Sequence, residues 1–117
     1  MGADKVDTIR SSSSGAVGRA HSAVRGQRLV LDSSTHPKPD ALTNSEAFLA
    51  GVSSCGVTLI EGYAQEHGIP LRRMDVTIEG VRVAAEPNRF ARVTMIFELV
   101  GVAQDEAETL VETYRGR

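Results

Sequence analysis

The segment from Thr43 to Pro70 constrains the fold more than any other part of the chain. Thr43-Asn44-Ser45-Glu46 matches a capping box, in which a hydroxyl and a carboxylate reciprocally satisfy free backbone amides, so a helix begins there. It is expected to run to about His67, because Gly68 supplies a left-handed terminal position and Pro70 forbids continuation. Two adjoining stripes recur at helical spacing: Phe48, Val52, Cys55, Leu59 and Tyr63, and beside them Leu49, Val52, Gly56, Ile60 and Ala64. Most of the circumference is therefore apolar or small. Gly51, Gly56 and Gly62 each cost about 1 kcal/mol relative to Ala inside a helix, which predicts a compensating close approach of another backbone.

The rest of the chain arranges strands around this helix. Ala23-Val24-Arg25 and Arg28-Leu29-Val30-Leu31 flank Gly26-Gln27 and read as a tight hairpin. Upstream, Ser11-Ser12-Ser13-Ser14-Gly15 reads as a turn or flexible connector between short extended pieces, with residues 1–15 read as a flexible arm. Pro37 and Pro39 make Ser33 to Leu42 an extended loop between sheet and helix. Met74, Val76 and Ile78 alternate with polar residues, as do Val93, Met95, Phe97 and Leu99. With a turn at Glu86-Pro87-Asn88-Arg89, they predict an antiparallel hairpin. Asp105 with Glu108 would cap a second helix carrying Ala107, Leu110, Val111 and Tyr114. That stripe is still running at Arg117, so the C-terminal part of the domain is expected to be missing.

At 117 residues, one compact domain spanning 1–117 is the expectation. Thirteen Lys and Arg against fifteen Asp and Glu give a charge of −2 without a long basic run, which argues against nucleic acid as a partner. Unbroken apolar runs are a few residues long, against the roughly 20 that span a bilayer, so no membrane partner is expected. A lone cysteine cannot close an internal disulfide, and Met1 to Arg10 is charged where a signal peptide is apolar; both suggest a cytoplasmic protein. No phosphate loop, Cys-x-x-Cys or helically spaced His pair is present, so neither a cofactor nor a metal is implied. His21, His36 and His67 are scattered and read as exposed or cap-proximal side chains. Cys55, within Gly51-Val52-Ser53-Ser54-Cys55-Gly56, is the rare reactive type; a thiol on an apolar stripe is most often a small hydrophobe, and its activation needs a nearby cation.

Pro39-Asp40-Ala41-Leu42-Thr43-Asn44-Ser45-Glu46-Ala47-Phe48-Leu49-Ala50, then Ser53-Ser54-Cys55, then Ala64-Gln65-Glu66-His67-Gly68-Ile69 resembles the OsmC/Ohr family of osmotically inducible and organic-hydroperoxide-resistance proteins. The resemblance covers roughly Ala23 onward. It implies an intertwined α+β homodimer, with antiparallel β-sheet packed around long central helices and two sites at the interface. It also implies a thiol peroxidase that reduces small organic hydroperoxides and is recycled by an external thiol reductant. On that resemblance Cys55 is the peroxidatic cysteine and Glu46 the matching carboxylate, with an activating arginine among Arg19, Arg25 and Arg28. The family's second cysteine has no counterpart in this sequence. Nine residues at about 100° each set Glu46 opposite Cys55 on a straight helix, so its capping role competes with a catalytic one. The alternative is a catalytically silent OsmC-like domain that binds a small ligand or a protein.

Overall fold

A computed structural model describes residues 4–87 and 89–115. Asn88, in the expected turn before Arg89, lies outside the described residues. Eight elements follow one another: β1 (Arg10–Ser13), β2 (Arg19–Val24), β3 (Gln27–Asp32), β4 (Leu42–Thr43), α1 (Asn44–Glu66), β5 (Arg73–Val81), β6 (Arg92–Val100) and α2 (Gln104–Arg115). The chain divides into two compact units, Met1–Phe48 and Leu49–Arg117, and the division falls inside α1.

In the first unit the strands run in the order β1-β2-β3-β4, antiparallel except for the short parallel pairing of β4 with β3. Two sequence expectations need correction here. Ser11–Ser13 is strand rather than connector, because its backbone completes a ladder with Ala20–Ser22 and the Ser11 and Ser22 hydroxyls meet at 2.7 Å. The β2–β3 turn falls on Arg25-Gly26, not Gly26-Gln27: Val24 pairs with Gln27, and both loop residues have positive φ, 52° and 79°. That two-residue geometry matches the right-handed twist of the flanking strands, and glycine takes one of the two left-handed positions.

In the second unit β5 and β6 form the expected antiparallel hairpin, with Met74 across from Leu99, Val76 from Phe97 and Ile78 from Met95 on one face. That face packs with α2 and one side of α1. Ile60, Ala64, Met74 and Leu110 are buried together, lined by Val57, Tyr63, Val76, Phe97, Val111 and Tyr114. The second helical stripe read from the sequence is thus the core-facing one. The helix ends as its sequence requires: Gly68 has φ +64°, its amide donates to the Gln65 carbonyl, and the Ile69 amide reaches back to Ala64 at 2.9 Å. The start of α2 differs from expectation by two residues. The Ala103 carbonyl accepts the first helical bond, from Ala107, and its amide donates to Glu106 Oε1 at 3.3 Å, while Asp105 sits within the first turn and favours the positive helix end.

By length and composition α1 could cross a membrane, with 23 residues and a mean hydropathy of 1.3 in its most apolar window. Core helices of soluble proteins pass the same test, and α1 supplies Gly56, Ile60 and Ala64 to the interior of the second unit. The unbroken-run reading of the sequence understated this hydropathy, because Ser, Gly and Thr interrupt the runs without lowering the mean greatly.

Candidate functional site

Cys55 lies in the middle of α1, one residue before Gly56. Since Gly56, Ile60 and Ala64 point into the core, a residue about 100° away around the helix turns off that face. Cys55 is accordingly exposed and free, sharing an open face with Gly51, Ser54, Thr58 and Gly62. Its thiol makes no hydrogen bond or ion pair among the described residues. Val52 and Leu59 flank it, half-buried. Local side chains satisfy the helix backbone here: Ser53 Oγ donates to the Leu49 carbonyl at 2.9 Å, and Thr58 Oγ1 to that of Cys55 at 3.3 Å.

Glu46 lies in the first turn of α1, in the other unit, and caps the helix. Its Oε1 accepts the Thr43 amide at 2.9 Å, while Thr43 Oγ1 accepts the Glu46 amide at 3.2 Å. The capping box read from the sequence is therefore present in both directions. Neither unit alone assembles a thiol, a carboxylate and a guanidinium into one cluster among the described residues.

The three candidate arginines have distinct surroundings. Arg25 occupies the hairpin turn, and Arg28 Nη2 lies 3.5 Å from His21 Nδ1. Arg19 is held by two carboxylates. Its Nε and Nη2 donate to Asp32 at 2.7 and 2.8 Å, and its Nη2 and Nη1 donate to Asp40 at 2.7 and 3.1 Å. These hydrogen bonds hold both aspartates below the usual carboxylate range and push the guanidinium further up. With four donor contacts already directed at carboxylates, Arg19 is the least available of the three to a further anion.

One neighbour of the cysteine was read from the sequence only as part of an apolar stripe. The Tyr114 hydroxyl, from α2, donates to the Val52 carbonyl at 3.1 Å, one turn before Cys55, and its ring lies over Gly56. The signal for it is a single tyrosine on the apolar face of α2, opposite a helix whose glycines leave room for an aromatic ring. A cleft of about 730 Å³ runs between β6 and α2, floored by Leu99, Ala107 and Val111 and rimmed by Glu98, Glu108 and Arg115; Cys55 is not among its walls.

Comparison with known proteins decides the family. The OsmC-like protein family matches residues 37–117, the stretch that holds the capped helix, its cysteine, the second hairpin and α2. The chain belongs to the OsmC-like family. Solved structures agree in fold. An OsmC-like protein from Mycoplasma pneumoniae superposes with a TM-score of 0.84 at 16% identity, covering 98% of this chain and 84% of that one. An organic hydroperoxide resistance protein from Legionella pneumophila gives 0.72 at 21% identity, covering 98% and 85%. Another organic hydroperoxide resistance protein, from Elizabethkingia anophelis, gives 0.74 at 15%, covering 99% and 85%. At such identities the likeness is one of fold, and it establishes the α+β OsmC-like architecture. No curated protein sequence matches the chain closely enough to count as a relative.

Proposed function

We propose that this OsmC-like protein is a cysteine-based peroxidase that reduces organic hydroperoxides in oxidative-stress defence, with Cys55 as the reacting group. The observation that carries this reading is an exposed, free thiol on the central helix of an OsmC-like fold, the one cysteine in the sequence. In the reaction the Cys55 thiolate attacks the terminal peroxide oxygen, an S–O bond forms and the O–O bond breaks. The alkoxide leaves, takes up a proton and departs as alcohol, and the sulfur is oxidised by two electrons to a sulfenic acid. Since the chain holds one cysteine, an external thiol condenses with that sulfenic acid, releasing water, and a second external thiol regenerates Cys55. Half-buried Val52 and Leu59 beside the thiol suit an alkyl substituent better than a bare peroxide.

The working form in this proposal is a cytoplasmic homodimer in which the open face of α1 meets a second copy. Only 17% of the most apolar window of α1 is buried within the chain, and a Cβ at Gly51 or Gly62 would meet nothing within 4 Å among the described residues. Two chains would also supply the carboxylate and guanidinium that Cys55 lacks within its own unit, with Glu46 as the candidate carboxylate.

A second reading, a catalytically silent binding domain, is favoured by the employment of Glu46 in the helix cap and of Arg19 by two aspartates. Mass spectrometry after one equivalent of cumene hydroperoxide separates the two. The peroxidase reading expects an oxygen adduct on Cys55, formed faster than with hydrogen peroxide and absent in Cys55→Ser. A rate no greater than that of a free cysteine peptide would make the silent domain the better reading.

A further inference from the structure

Arg19 opens β2, and the hairpin register sets it directly across from Asp32, the last residue of β3. Its guanidinium engages a carboxylate on each of two edges, but the two partners differ in kind. Asp32 is 0% exposed and ties neighbouring strands of one sheet. Asp40 has a side chain 66% exposed and sits in the segment between β3 and β4, just after Pro39. Water and counterions compete for an exposed ion pair and not for a buried one, so the contact with Asp40 is the weaker and the more readily exchanged.

The segment that carries Asp40 has little else to tie its middle to the sheet. Its start is fastened by the Ser33 amide on the Gly18 carbonyl at 2.8 Å, and by Ser34 Oγ, which accepts the Ser45 amide at 2.9 Å. Its end is fastened where Leu42 and Thr43 pair with Leu31 and Asp32. Between them Pro37 and Pro39 remove two backbone donors, Lys38 and Ala41 form one isolated bridge, and the remaining bonds stay within the segment: the His36 amide donates to the Ser33 carbonyl at 3.1 Å, and Thr35 Oγ1 lies 3.2 Å from Ser33 Oγ and 3.0 Å from His36 Nδ1. Lys38 is also the cation that faces both aspartates besides Arg19.

We propose that the Arg19–Asp40 contact is a releasable latch: when it breaks, residues 35–40 move away from the sheet as a unit, while Asp32 keeps Arg19 seated on β2 and β3. The fold thereby gains a strap whose ends are fixed by backbone pairing and whose one hydrogen-bonded ion pair to the sheet is exchangeable.

Hydrogen exchange of the full chain at neutral pH tests this. Asp40→Asn is expected to raise exchange at His36, whose amide is bonded to the Ser33 carbonyl, and at the bridged Lys38 roughly two- to fivefold, the range for loss of an exposed ion pair, and to leave Ala20 to Ser22 and Leu29 to Leu31 unchanged. Salt at about 0.5 M, which screens exposed charges, should do the same to the unaltered chain and add nothing in Asp40→Asn. Unchanged loop exchange in both experiments would overturn the latch. An equal rise in β2 and β3 would also overturn it, because Asp40 would then belong to one clamp with Asp32. Should the variant fold poorly, the salt series on the unaltered chain decides alone.

Discussion

Gly56 offers a test in which two substitutions at one position should move stability in opposite directions. A methyl built there would lie 3.5 Å from Tyr114 Cζ, 3.6 Å from Phe97 Cε2 and 3.7 Å from Met95 Cε, all ordinary van der Waals separations. Gly56→Ala therefore fits without displacement. It should gain about 1 kcal/mol from helix propensity and a few tenths from new dispersion contacts, for a total of roughly 1 to 1.5 kcal/mol. Gly56→Leu places three more carbons into space held by the Tyr114 and Phe97 rings. Overpacking there costs about 1 to 3 kcal/mol, and a displaced Tyr114 loses its bond to Val52, about 1 kcal/mol more. The helix gain offsets part of this, leaving a net loss of about 1 to 3 kcal/mol. Urea denaturation at fixed protomer concentration would measure both, the fixed concentration being needed because self-association contributes to apparent stability. On heating, each kcal/mol should shift the midpoint by about 4 °C for a chain of this size. A loss of 1 kcal/mol or more in Gly56→Ala would refute the reasoning, since it would mean that backbone rather than side chains lies against this residue.

Gly101→Ala should cost about 2 kcal/mol or more by the same assay, because its φ of +102° is strained for any side chain and a Cβ would lie 2.6 Å from the Pro70 carbonyl oxygen; a loss below a few tenths would show that the β6–α2 turn relaxes freely. At Gly62 a Cβ would meet nothing within 4 Å among the described residues, so Gly62→Leu should stabilise the monomer by up to about 1 kcal/mol of helix propensity, a midpoint rise of about 3 to 4 °C, while self-association weakens at least about tenfold, the effect of overpacking an interface; unchanged sedimentation behaviour would remove this face of α1 from the dimer. Asp32 has a carboxyl held below its ordinary value of 3.8 by hydrogen bonds from Arg19. The stability it contributes is complete above that value and is lost as pH falls through the lower folded one. Asp32→Asn should therefore be less stable at neutral pH and lose less on acidification below about pH 4; parallel acid limbs for the two proteins would contradict this.

Sequence reading succeeded where the signal was local. The cap at Thr43 and Glu46, the terminator at Gly68 and the alternation in β5 and β6 each depend on residues within a turn or a hairpin of one another. It failed at Ser11–Ser13, where four serines in a row suggest a connector and only pairing with β2 makes them strand. Arg19, Asp32 and Asp40 were not connected because their link is a matter of register. Counting outward from the two-residue turn at Arg25-Gly26 sets Arg19 opposite Asp32, so a turn misplaced by one residue hid the pair. Cys55 was located correctly on the helix, yet its exposure follows from which of two adjoining stripes the hairpin and α2 choose to cover. Periodicity alone does not rank those stripes, since both are apolar; the ring of Tyr114 over Gly56 does.

That same tyrosine places a timing requirement on synthesis. The hydroxyl that braces Val52 lies 62 residues downstream of it, and Leu110, wholly buried in the core, arrives almost as late. A ribosome adding about 5 to 20 residues per second needs roughly 3 to 12 s to cross that interval. During that time Ile60 and Ala64 have emerged, or are emerging, without the helix that covers them. A nascent chain paused after β6 would present a hydrophobic seam to chaperones, and a message cut short before Leu110 would leave Ile60, Ala64 and Met74 without the side chain that closes their cluster.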